Sequence, residues 1–122
     1  MIFEIWKPVV GYEGIYSVSD LGRVRGDKEY KGFFSGRILK PLYNQRYFSV
    51  GLYKHGKQKS YRIHYLVITA FLGPRPKGKT INHKDGIKSN NRLSNLEYCT
   101  QKENIIHSHR TKHHELHHLQ NI

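Results

Sequence analysis

An α+β fold is expected for this chain, with a small antiparallel β unit at the N-terminus and a β-loop-β-α segment near the other end. Three observations predict it. Short strand-like runs broken by glycine occupy residues 1–40, an apolar run at helical spacing lies between Leu66 and Phe71, and a helix-capping pattern begins at Thr100. At 122 residues the chain has room for one compact domain with a small subdomain. A chain of this size buries roughly 65% of its unfolded surface, so neither a disulfide nor a metal is required merely to fold it.

The first strands are expected at Glu4–Lys7, Ile15–Val18 and Arg23–Arg25, with turns at Gly11, Gly14 and Gly22. From Arg46 a hairpin begins. Phe48, Val50 and Leu52 alternate with Tyr47, Ser49 and Gly51, the two-residue period of a half-buried strand. Lys54-His-Gly-Lys57 reads as its turn, because Gly56 tolerates positive φ. The return strand runs from Lys59 to about Ile63. Leu66, Val67, Ala70 and Phe71 then share a helical face, and Gly73-Pro74 ends that helix. The basic, Pro/Gly-rich stretch from Gly73 to Lys79 is a candidate subdomain connector. Thr80–His83 and Leu96–Cys99 read as short strands around a loop rich in Asn, Ser, Gly and Lys. Thr100-Gln-Lys-Glu103 fits a capping box, so a helix is expected from Gln101 to at least His109. The segments expected are 1–45, 46–110 and a tail over 111–122.

Composition narrows the function. Twenty-one Lys and Arg stand against nine Asp and Glu, a formal charge of +12 that concentrates polyanions around the molecule. Tyr43, Arg46, Tyr47, Tyr53, Lys54, Lys57, Lys59, Tyr61, Arg62 and Tyr65 interleave cations with rings, which suits a nucleic-acid surface. Each tyrosine taken singly is equally well an ordinary strand residue. One cysteine, Cys99, excludes an internal disulfide and a four-cysteine zinc site. The apolar runs are too short to span a bilayer. Glu4 stands where a leader peptide wants a cation, so a cytoplasmic location is expected.

Two blocks carry more specific information. The first is Ile81-Asn-His-Lys-Asp-Gly-Ile-Lys-Ser-Asn-Asn-Arg-Leu-Ser-Asn-Leu-Glu97, followed by Glu103-Asn104-Ile-Ile-His107. It resembles the HNH nuclease family, in particular phage and intron-encoded homing endonucleases with the signature N/D-H-x-D-G-N-x-x-N-N-x-x-x-N-L-E. Ile87 departs from that signature at a loop position. The second block, Trp6-Lys-Pro with Tyr12-Glu-Gly-Ile-Tyr-Ser-Val-Ser-Asp-Leu-Gly-Arg-Val-Arg25, is similar to the nuclease-associated modular DNA-binding unit that often precedes such a domain.

The resemblance implies a ββα-metal centre that hydrolyses phosphodiester bonds of double-stranded DNA, by nicking or full cleavage. It implies His83 as the general base, a role imidazole suits because its unperturbed pKa lies near 6.5. It also implies Asn82 and Asn104 as metal ligands, and Asn95 as the residue that holds the loop and orients the base. Oxygen ligands point to one divalent cation, Mg²⁺ or else Mn²⁺. Neighbouring strand residues face opposite ways, so Asn82 and His83 can share one ion only if the strand ends there. With Asn at both ligand positions no carboxylate is supplied directly, and Asp85 is a second-choice source of charge beside its loop-bracing role. His64 matches a family position as structural support. Asn90 and Asn91 read as turn residues. Duplex DNA is the expected partner of a monomer or weak dimer. Arg23, Arg25, Arg46, Lys54, Lys57 and Lys59 are candidate phosphate contacts, as are Arg62, Lys84, Lys88, Arg92 and His107.

Six of nine histidines follow Asn104, and 109/113, 113/117 and 114/118 are spaced to share helical faces. His114-Glu-Leu-His-His118 matches the zinc-protease pattern by letter, in a stretch too His-rich for the match to carry weight. A solvated, pH-sensitive tail is preferred. Sequence preference on DNA is expected from residues 1–60, the hairpin or dimerisation. The competing classes are a DNA-binding module with a degenerate nuclease centre and a histidine-tail metal binder.

Overall fold

The computed structural model describes residues 3–29, 32, 34–103 and 105–106. Among the described residues, nine strands form three antiparallel sheets packed about a central helix. The first sheet has the order β1 (Trp6–Pro8), β2 (Tyr16–Ser19), β3 (Val24–Gly26), β4 (Arg37–Ile38). The second comprises β5 (Leu42–Asn44), β6 (Tyr47–Lys54) and β7 (Lys57–Arg62). The helix α1 (Ile63–Leu72) follows, then the pair β8 (Lys79–His83) and β9 (Leu96–Thr100), with a 3₁₀ turn at Leu93–Asn95 between them.

The first three strands lie about a residue or two later than the hydrophobic pattern suggested, because pairing register decides their ends. Trp6 faces Ser19, and Tyr16 faces Gly26. Pro8 is accommodated because β1 is an edge strand. Two strands, β4 and β5, form where no strand is expected from the sequence. The β5–β6 turn has no glycine: Gln45 and Arg46 both adopt positive φ (52° and 72°), which sequence chemistry does not announce. The β6–β7 turn is the expected one, with His55 and Gly56 at φ 52° and 74°. Because β5 pairs with β6, the expected division at 45/46 falls inside a single sheet.

Helix α1 buries Ile63, Leu66, Val67, Ile68 and Thr69, more than one narrow stripe. It packs against β1, β2, β6, β7 and β9 and so joins all three sheets. The Thr69 hydroxyl bonds back to the Tyr65 carbonyl at 2.7 Å, and Gly73 (φ 87°) closes the helix by donating its N–H to the Thr69 carbonyl. One core results. Val9, just after β1, and Tyr16, Val18 and Val24 of the first sheet share it with Val50 and Leu52 of the second, the helix residues, and Leu96 of the third. The two N-terminal sheets are also tied by tyrosine hydroxyls: Tyr16 accepts the Tyr53 N–H at 3.0 Å, and Tyr12 meets Tyr61 at 3.1 Å. At the far end Tyr98 donates to the Gly73 carbonyl, fastening β9 to the helix terminus.

After β9, residues 101–103 and 105–106 are helical. The Thr100 hydroxyl accepts the Glu103 N–H at 3.1 Å, the first half of the expected capping box. Asn104, His107 and the histidine-rich end lie outside the described residues. No described helix is long and apolar enough to cross a membrane.

Candidate active site

The centre is built where β8 ends. Asn82 and His83 are its last two residues, and both are buried, at 5% and 6% exposure. Both are paired in the ladder, Asn82 with Glu97 and His83 with Leu96; the strand stops at His83, and a turn follows in which the Gly86 N–H reaches the His83 carbonyl at 2.8 Å. Asn82 lies opposite Glu97 in register and donates its side-chain N–H to Oε1 at 2.9 Å. That bond fixes the amide and turns Oδ1 away from Glu97. It also places a carboxylate beside the candidate ligand, which the motif alone did not suggest.

The loop after His83 is a closed polar frame. Asp85 Oδ1 accepts from the Ile87 N–H (2.8 Å) and from Asn95 Nδ2 (2.9 Å), while Oδ2 accepts from Asn90 Nδ2 (2.7 Å). Asn95 is buried. Its amide also donates to the Asn90 carbonyl, and its oxygen accepts the Asp85 N–H at 3.0 Å. Burial pushes the Asp85 carboxyl up, but the bonds from Asn90, Ile87 and Asn95 outweigh it and hold the group below the usual carboxylate range. Asp85 is therefore a brace, as is Asn90.

Asn95 holds the loop, and a hydrogen-bond partner of His83 is Asn91: its Oδ1 lies 3.0 Å from His83 Nε2, and Asn91 is 6% exposed. An amide oxygen only accepts, so Nε2 carries the proton and Nδ1 is the basic nitrogen of the neutral ring. Burial lowers the His83 pKa, and the nearby Lys88 adds to this; Asn91 and Asp85 pull in the other direction. The neutral ring is favoured.

His64, in the first turn of α1, stands edge-on to His83 with ring centroids 5.1 Å apart. Its Nδ1 is buried with no hydrogen-bond partner among the described residues. Burial, the His83 ring and Arg62 push its pKa down to about 4, so it is uncharged at neutral pH. Tyr47 completes the cluster, 5.2 Å from His64 and 6.3 Å from His83. The Arg62 guanidinium lies 3.9 Å from the Tyr47 ring centroid and Lys88 Nζ 4.9 Å from it, both within cation–π range. Tyr47, Asn91 and Glu97 were visible in the sequence only as a strand tyrosine, a turn residue and the last letter of a motif.

The remaining candidate cations are distributed differently. Arg62 and Lys88 converge on the site, and Lys84 and Arg92 are exposed on the same loop. Lys54, Lys57 and Lys59 line the β6–β7 hairpin, where Lys54 bonds the Gly11 carbonyl and Lys59 lies over Tyr61. Arg46 is exposed in the β5–β6 turn. Arg23 and Arg25 are engaged within the protein: Arg23 pairs with Glu4, Arg25 bonds Asp27 at 3.1 Å, and both stack on Trp6. The Arg23 pair holds the Glu4 carboxyl well down, at about 2. Cys99 is buried and burial raises its thiol pKa, so it takes no part in the site.

A histidine at the end of one strand of a short β-pair, an asparagine-braced loop and a capped helix after the second strand define a small nuclease centre of the HNH class. The comparisons agree with that class. A model for HNH endonucleases matches residues 61–105, and a NUMOD4 motif model matches 4–53. DNA endonuclease I-HmuI of Bacillus phage SP01 is 41% identical over 101 residues, covering 82% of this chain and 55% of the relative. An uncharacterised HNH endonuclease of Acanthamoeba polyphaga mimivirus is 34% identical over 103 residues, 84% of this chain and 29% of the relative. A solved structure described as DNA binding and cleavage by the HNH homing endonuclease I-HmuI superposes with a TM-score of 0.74 at 35% identity, covering 96% of this chain and 68% of that one. The chain belongs to the HNH homing endonuclease family. It spans 55% of the length of the phage relative and less of the viral one.

Proposed function

We propose that this chain hydrolyses phosphodiester bonds of double-stranded DNA in a reaction that requires a divalent cation. The observation that carries the reading is His83: buried, fixed through Nε2 by Asn91, favoured neutral, and set beside the Arg62–Tyr47–Lys88 face. In this reading Nδ1 of His83 takes the proton from the water that attacks the scissile phosphorus. Arg62 and Lys88 hold the backbone of the cleaved strand near that water. Lys54, Lys57 and Lys59 grip phosphates farther along the duplex.

The residues at the end of β8 fit a hard cation. Asn82 has its amide nitrogen occupied by Glu97, which leaves its oxygen as the ligating end, and Glu97 adds negative charge nearby. Asn104 is the second proposed ligand. Bound there, Mg²⁺ or Mn²⁺ supplies charge neutralisation at the phosphate and at the departing 3′ oxygen. Among the described residues no cluster of three or more His, Cys, Asp or Glu side chains forms a metal site. Asn82 and Asn104 offer neutral amide oxygens and no carboxylate, so the site is expected to bind metal weakly until a DNA phosphate joins it.

Nicking of supercoiled plasmid in Mg²⁺ or Mn²⁺, with His83→Ala as control, tests the reading. Wild-type nicking that His83→Ala abolishes supports it. DNA binding without nicking would instead favour a module with a degenerate centre.

A further inference from the structure

The turn between β2 and β3 touches the nuclease centre from outside it. This turn is itself firmly built. The Ser19 hydroxyl accepts the Leu21 and Arg23 N–H groups at 3.2 and 3.1 Å, Ser19 is fully buried, and the Gly22 N–H reaches the Ser19 carbonyl. Asp20 clamps the incoming chain twice, through its N–H to the Ile5 carbonyl and its Oδ1 to the Ile5 N–H. The outer side of the same turn meets the loop that carries Asn91. The Asp20 carbonyl accepts the Leu93 N–H at 2.8 Å. Gly22, at φ 87°, lies so close that a Cβ there would stand 3.0 Å from the Asn91 carbonyl oxygen and 3.1 Å from the Asn91 Cβ.

The loop's own network ties Asn90 and Asn95 to Asp85; Asn91 and Leu93 are met by the β2–β3 turn. Asn91 is also the residue whose side chain bonds His83. We infer that the β2–β3 turn, through Gly22 and Asp20, is a positioning element for His83: it sets the backbone of Asn91 so that its Oδ1 meets Nε2. This rests on the reading of His83 as the base. The N-terminal sheet, which lies within the 4–53 match of a motif model separate from that of the nuclease segment, thereby has a second task besides any contact with DNA.

Glycine is required at 22 on two counts. The left-handed φ disfavours a side chain, and the added Cβ forces Asn91 to give by a few tenths of an ångström. A base displaced by a fraction of an ångström loses rate without losing ligand.

The test is single-turnover plasmid nicking at saturating protein with Mg²⁺, DNA affinity measured without metal, and the imidazole nitrogen resonances of His83 in the free protein. Gly22→Ala is expected to lower the single-turnover rate about tenfold to a hundredfold. Affinity should stay within about twofold, the pattern of a lost transition-state contact. The His83 resonances should move although residue 22 does not touch the ring. Asn91→Asp, which keeps an acceptor oxygen, should recover most of the rate that Asn91→Ala loses. Should Gly22→Ala not fold, Ser19→Ala loosens the same turn without adding volume and should change rate and resonances in the same direction. A wild-type rate with unmoved His83 resonances in a folded turn variant overturns the inference, as does a loss confined to affinity. Failure of the underlying reading looks different: His83→Ala then nicks as well as wild type, while the resonance shift still reports whether the turn positions the ring.

Discussion

The amide frame of Asp85, Asn90 and Asn95 and the cationic face of Tyr47, Arg62 and Lys88 serve the same histidine by opposite means. In the frame, one carboxylate accepts from two side-chain amides and a backbone N–H, so its charge is consumed in holding the loop. On the face, two cations lie over one ring, with no carboxylate pairing found for either among the described residues. The frame supplies position, and the face holds the charge that the proposed function assigns to a phosphate. Substitutions should separate the two: damage to the frame should appear as lost stability and lost chemistry, damage to the face as weaker, less salt-sensitive binding.

The largest expected effect is in the frame. Asn95→Ala strands the Asp85 N–H and the Asn90 carbonyl in a part-buried loop, which costs about 2 to 4 kcal/mol. Urea unfolding should show that loss, and nicking should disappear with it. An intact midpoint would mean the loop stands without its central asparagine.

Next comes the pocket behind His83. The folded-state pKa of His64, about 4, lies below the unfolded value near 6.5. The unfolded state therefore binds the proton first as pH falls. The neutral-ring contribution is complete above about pH 6.5 and is lost progressively towards pH 4, about 3 kcal/mol in all. His64→Phe should flatten the pH dependence of stability in that window relative to wild type. Equal slopes in the two proteins would remove His64 from the pocket's electrostatics.

The smallest effect belongs to the face. Arg62→Ala and Lys88→Ala should each reduce the slope of log affinity against log salt by about 1, with stability nearly unchanged. Arg23→Ala should leave the slope closer to wild type, because Glu4 already neutralises that guanidinium. The reverse order would place the DNA on the first sheet instead.

Much of this was legible in the sequence, for identifiable reasons. The β6 alternation, the positive-φ Gly56 turn and the Thr100 cap are local signals, and each element formed as the local chemistry required. The motif likewise singled out His83, Asn82 and Asn95, because their spacing survives in one chain. What was illegible depends on contacts between distant segments. Nothing local marks Gln45 and Arg46 as a tight turn, and nothing in Asn91 distinguishes a turn residue from the partner of His83. The Gly22–Asn91 approach joins positions 69 residues apart and exists only once α1 has drawn three sheets onto one core. Arg23 and Arg25 are candidate phosphate contacts by sequence, and composition cannot show that Glu4 and Asp27 lie beside them.

The most direct test of the central claim is the pH profile of single-turnover nicking, wild type against His83→Ala, at fixed saturating metal. His83 must be neutral to accept a proton, and its pKa is lowered by burial, so the account predicts a rate that holds as pH falls through 6.5 and declines only at more acid pH. His83→Ala should lose that rate and, with it, the acid limb. An acid limb of the same position and depth in His83→Ala would contradict the account, because another group would then be taking the proton.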